Sequence, residues 1–119
     1  KKPDILILMS PDAYTQFAPQ LAPGGTLLYE SELITPDDTL PAGTKAFGIP
    51  ATRFAEELGR RLVLNIVMTG FFAGVTGLVS AEAMEKAVKA SVPKGTEDLN
   101  MRALRKGYEY GRELVAVPA

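Results

Sequence analysis

Residues 62–81, LVLNIVMTGFFAGVTGLVSA, carry no charged side chain, and the run reaches the length of about 20 residues that a helix needs to cross a bilayer. Gly70 and Gly74 within it have the small-xxx-small spacing of packed transmembrane helices. Either this is a membrane span or it is the most buried helix of a globular fold. Its own ends favour the second. Thr76 and Gly77 read as a helix stop. Ser80, with Glu82 behind it, reads as the N-cap of a new amphipathic helix with Ala81, Met84, Ala87, Val88 and Ser91 on one face. That leaves a helix of about 14 residues, about 21 Å long, against a hydrocarbon core of about 30 Å. The expectation is a helix apolar all round because protein surrounds it, with Gly70 and Gly74 allowing a strand, helix or neighbouring subunit to approach its backbone.

The rest of the chain alternates strand and helix signals. Residues 5–9 are a continuous apolar run between Pro3-Asp4 and Ser10-Pro11, which reads as a strand buried on both faces. Ser10 then caps a helix with Pro11 at its first position and Tyr14, Phe17, Ala18 and Leu21 on one side, ending near Ala22. TLLYES from Thr26 and residues 45–49 read as two further strands, joined by a loop rich in Pro, Asp and Gly. Pro50 opens a helix that Gly59 closes. The last helix is capped by Thr96, with Glu97 and Asp98 in its first turn and Arg102, Arg105, Lys106 and Arg112 beyond, an order that suits the helix dipole. Leu99, Ala103, Leu104, Tyr108 and Leu114 are its packing candidates.

Composition removes whole classes of chemistry. The 119 residues include no cysteine and no histidine, so thiol nucleophiles, imidazole bases, imidazole-bound zinc and iron-sulfur ligation are outside this chain's reach. Net charge is −1, with 23% charged residues of both signs interspersed; nothing in that pattern calls for nucleic acid or an anionic membrane. KKPDILILMS has only a few apolar residues after its two lysines and lacks the longer apolar region and small-residue cleavage site of a signal peptide, which makes the cytoplasm the expected location. Glu30, Glu32, Asp37 and Asp38 follow a strand, where α/β folds place ligands, but without a calcium-loop spacing. Arg60 and Arg61 suit a phosphate or a partner's carboxylate, or else form a solvated junction between helices. Asn65 reads as a buried amide satisfying nearby backbone. Of Tyr108 and Tyr110, two apart on a helix, one is expected in the core and the other at a surface.

Taken in order, PDILILMSPDAY, LAPGGTLLYES, GIPATRFAEELG, NIVMTGFFAGVTGLVSAEAMEKAV and LNMRALRKGYEYG resemble the gamma subunit or domain of 2-oxoacid:ferredoxin oxidoreductases, with Ala103, Gly107 and Tyr108 at the family's positions. The resemblance implies a Rossmann-like, three-layer α/β domain with a mostly parallel sheet and a buried, Gly-rich apolar helix. In the family a strand and a GxGGQG turn come earlier; Gly24-Gly25 leads into a strand and cannot replace that turn. The chain therefore resembles the C-terminal two-thirds of the domain, a single partial domain over residues 1–119.

The implied complex converts a 2-oxoacid to an acyl-coenzyme A by oxidative decarboxylation and passes electrons to ferredoxin. Thiamine diphosphate, magnesium and iron-sulfur clusters would lie in its alpha, beta and delta subunits, with 2-oxoglutarate the favoured substrate over pyruvate. This chain would bind no cofactor and be inactive alone, and its role would be structural. Arg60 and Arg61 would be coenzyme A or partner contacts, and Asn65, Gly70, Gly74, Gly77 and Tyr108 structural or interface positions. Isolated, it is a candidate homo-oligomer. Two other readings stay open: a beta-type subunit of indolepyruvate oxidoreductase and a free-standing nucleotide-binding α/β module.

Overall fold

Strand β1, Ile5–Leu8, starts a three-stranded, fully parallel sheet in the order β1-β2-β3, where β2 is Thr26–Glu30 and β3 is Lys45–Ile49. The computed structural model describes residues 2–116. They fall into two compact units, 2–50 and 51–116, and the sheet belongs to the first. Ile5 pairs with Thr26 and Tyr29 with Gly48, so the strands advance in step. The tight fit at Gly48 has a visible cause, since a Cβ there would lie 2.6 Å from the Tyr29 ring. β2 is the central strand, and its Leu27, Leu28 and Glu30 are fully buried.

β1 departs from the sequence reading. Only Leu8 is buried, while Ile7 is 42% exposed. An apolar run in a parallel sheet reads as interior, but here β1 is an edge strand; among the described residues, no strand lies on its outer side.

Helix α1, Pro11–Phe17, begins as expected, with the Ser10 hydroxyl accepting the Ala13 N–H at 3.1 Å. It stops five residues short of Ala22, because Pro19 has no N–H to continue the ladder and the chain tightens into a 3₁₀ turn, Ala18–Gln20. Tyr14, Ala18 and Leu21 pack with Leu8, Leu27 and Ile34. Phe17, expected on the same face, is 39% exposed.

The long β2 to β3 connection is held by a polar latch. The Tyr14 hydroxyl donates to Asp37 Oδ1 at 2.7 Å and accepts the Asp37 N–H at 3.0 Å. The same Oδ1 receives the Thr39 hydroxyl at 2.6 Å and the Thr39 N–H at 3.2 Å. The Thr39 hydroxyl and then the Tyr14 hydroxyl hold the Asp37 carboxyl below its usual value of 3.8, and burial raises Tyr14 above 10.0. The folded state thus favours Asp37 ionised and Tyr14 neutral. The latch is intact between the two values, weakens as pH falls from 3.8 through the lowered folded-state value of Asp37, and weakens again as pH rises above 10.0. Tyr14→Phe is expected to lower the melting temperature near neutral pH and to move the acid limb of the stability profile to higher pH. Thermal melts across a pH series check this, and superimposable acid limbs would mean that the latch is not coupled to folding.

The second unit is helical. Helix α2, Ala51–Glu57, ends where Gly59 takes φ +92° and the Arg60 N–H reaches back to the Ala55 carbonyl at 3.1 Å, a Schellman closure. A 3₁₀ turn, Arg61–Val63, leads into α3, Leu64–Thr76, and Gly77 closes α3 at φ +66°. Helix α4, Ala81–Ser91, is capped by the Ser80 hydroxyl on the Ala83 N–H at 3.1 Å. Helix α5, Glu97–Ala116, completes the unit. Among the described residues no helix is long and apolar enough to cross a membrane.

Helices α3 and α5 run parallel at backbone contact. A Cβ on Gly70 would collide with the Leu104 carbonyl, and one on Gly74 with the Tyr108 carbonyl. From the other side, a Cβ on Gly107 would collide with the Val67 carbonyl, and one on Gly111 would stand 2.9 Å from that of Phe71. The chain's two glycine pairs therefore seat against each other. Val67, Met68, Phe71 and Ala73 are buried, but α3 is not enclosed all round: Asn65 is exposed and Thr69, Phe72 and Thr76 are half-exposed along the opposite stripe.

Candidate functional site

Of the polar groups singled out from sequence, Arg60, Arg61 and Asn65 lie at the N-terminal end of α3. Gly59 turns the chain so that Arg60, in extended conformation, and Arg61, opening the 3₁₀ turn, both reach solvent. Arg60 lies at a cleft of about 190 Å³, shared with Val63, Pro93, Thr96, Leu99 and Asn100. The Asn100 carboxamide, 8% exposed, donates to the Thr96 carbonyl at 2.9 Å and to its hydroxyl at 3.2 Å. That hydroxyl in turn donates to Pro93 at 2.6 Å. The Thr96 hydroxyl and Asn100 amide protons are spent within the protein, so the Arg60 guanidinium is the group of this cleft that can receive an anionic oxygen, while the apolar walls cover an organic group.

Asn65 differs from its expected role. It is the second residue of α3 and exposed, not a buried amide; its carbonyl accepts the Thr69 hydroxyl at 2.9 Å. The first turn of a helix leaves N–H groups without intrahelical acceptors, so an exposed polar side chain there faces solvent at no cost. Gly77 serves as a left-handed helix stop with open space around it, unlike Gly70 and Gly74. Tyr108 is half-buried, and its backbone supplies the surface on which those two glycines rest. Tyr110 is also half-buried. It meets Phe54 edge-on at 5.4 Å and Phe71 at 6.0 Å, and Lys106 Nζ sits 4.6 Å from the Phe54 ring centre.

The acidic cluster separates. Glu30 is buried and accepts the Glu32 N–H, whereas Glu32, Asp37 and Asp38 are exposed. Among the described residues no group of three or more His, Cys, Asp or Glu is placed to hold a metal ion. Two features escaped the sequence reading. The burial of Asn100, a residue of the LNMRALRKGYEYG segment that carries the resemblance, is one, although its spacing of four from Thr96 is the signal for the hydrogen bonds it makes. Gly111, four beyond Gly107, repeats the spacing noticed at Gly70 and Gly74. Leu114, a packing candidate, is 36% exposed near the end of α5.

The family model for pyruvate ferredoxin/flavodoxin oxidoreductase matches residues 1–110. The chain belongs to that family. It is 43% identical over 95% of its length to the 2-oxoglutarate synthase subunit KorC of Methanocaldococcus jannaschii, and it spans 61% of that relative. Among solved structures it superposes on the gamma subunit of a keto/oxoacid ferredoxin oxidoreductase from Geobacter sulfurreducens with a TM-score of 0.83. That match is 33% identical and covers 96% of this chain and 65% of the other. The 2-oxoglutarate:ferredoxin oxidoreductase of Magnetococcus marinus, in a structure with 2-oxoglutarate, coenzyme A and succinyl-CoA bound, shares the fold at TM-score 0.81. There the identity is 20%, with 92% of this chain and 20% of that chain covered. The parallel α/β architecture of the family member agrees with the fold expected from its sequence.

Proposed function

We propose that this chain forms part of a gamma-type subunit in a 2-oxoacid:ferredoxin oxidoreductase, a complex that decarboxylates a 2-oxoacid oxidatively and transfers the acyl group to coenzyme A. The 43% identity to a 2-oxoglutarate synthase subunit over 95% of the chain carries this reading and favours 2-oxoglutarate as the substrate. Thiamine diphosphate, magnesium and iron-sulfur clusters belong to the alpha, beta and delta partners, in keeping with a chain that has no Cys or His. Two reduced ferredoxins, carbon dioxide and the acyl thioester leave; the residues of this chain take no part in bond making. The purified chain alone is expected to give no oxoacid-dependent reduction of a viologen dye and no cluster absorbance. Measurable turnover by the chain alone would overturn that division of labour.

The chain's own contribution lies at Arg60 and Arg61. Coenzyme A carries several phosphate groups, and two exposed guanidiniums at the start of α3 offer paired donors to phosphate oxygens. In the assembled complex, Arg60→Ala and Arg61→Ala are each expected to raise KM for coenzyme A about tenfold, the equivalent of about 1.4 kcal/mol, with little change in kcat or in KM for the oxoacid. Unchanged KM for coenzyme A would remove the assignment. Loss of subunits on gel filtration would move the contact to a partner's carboxylate.

A further inference from the structure

We draw no further inference here: the strongest candidate, the uncharged stripe of Asn65, Thr69, Phe72 and Thr76 left open along α3, carries nothing because no feature of the structure shows what covers it.

Discussion

Gly107→Ala is expected to destabilise residues 51–116 by about 1 to 3 kcal/mol, the usual cost of overpacking a filled core. Helix propensity alone predicts the opposite sign, since alanine in place of a mid-helix glycine gains about 1 kcal/mol. Packing decides the outcome because the new methyl would meet the Val67 carbonyl and come within 2.9 Å of the Phe71 nitrogen. Both are backbone atoms of α3. No side-chain rotamer change relieves such a clash, so the two helices must separate along their contact and loosen Phe71 and Leu104, which are buried beside it. Gly70→Ala meets the mirror arrangement against Leu104 and Tyr108. The double variant should cost less than the sum of the singles, because helices already forced apart accept the second methyl more easily. Thr69→Ala, on the open stripe of the same helix, provides the contrast, with a small gain from propensity. Chemical denaturation of the four variants beside their parent checks the pattern. A Gly107→Ala chain as stable as its parent would show that α3 and α5 do not pack at backbone contact.

This contact also marks how far the sequence could be read. Gly70 and Gly74 stood out because they interrupt an apolar run, and their spacing alone signals a close approach. What approaches them was not legible, because Gly107 and Gly111 sit in a highly charged helix where glycine looks like a weak point. Caps were read well for a different reason: Ser10, Gly59, Gly77 and Ser80 act within one helical turn of themselves, so local chemistry settles them. The same holds for β2 and β3, whose residues match the structure to within one position. Errors arose where distant chain decides. Asn65 looked buried because its neighbours are apolar, but which side of a helix faces the core depends on the helix packed against it. Glu30 reads in sequence as one of four acids following a strand, yet its place at the end of the central strand buries it. At the candidate site, the arginine pair was visible in sequence, whereas the cleft beside Arg60 requires the turn before α5 to be folded against it.

The outer edge of β1 is expected to be occupied whenever this protein works. A parallel edge strand presents half of its N–H and C=O groups away from the strand it pairs with, and natural edges are guarded by charge, proline, a bulge or a covering segment. Residues 5–8, ILIL, have neither charge nor proline, and Ile7 stands 42% exposed beside that edge. Such a strand recruits another, whether from a longer polypeptide, from a second subunit or, with nothing else available, from a copy of itself. The 119-residue chain in isolation is therefore expected to run above its 12.8 kDa mass in size-exclusion chromatography with light scattering. Ile7→Lys places a charge on the exposed face of the strand without entering the core formed by Leu8, Tyr14 and Leu27, so it should return the chain to a monomer with an unchanged circular dichroism spectrum. Should the parent itself be a well-dispersed monomer, β1 needs no neighbour and the sheet is sufficient as three strands. Association that persists undiminished in Ile7→Lys would place the sticky surface elsewhere. Dispersal by the lysine alone, with the fold retained, identifies the β1 edge as the surface through which copies of the chain associate.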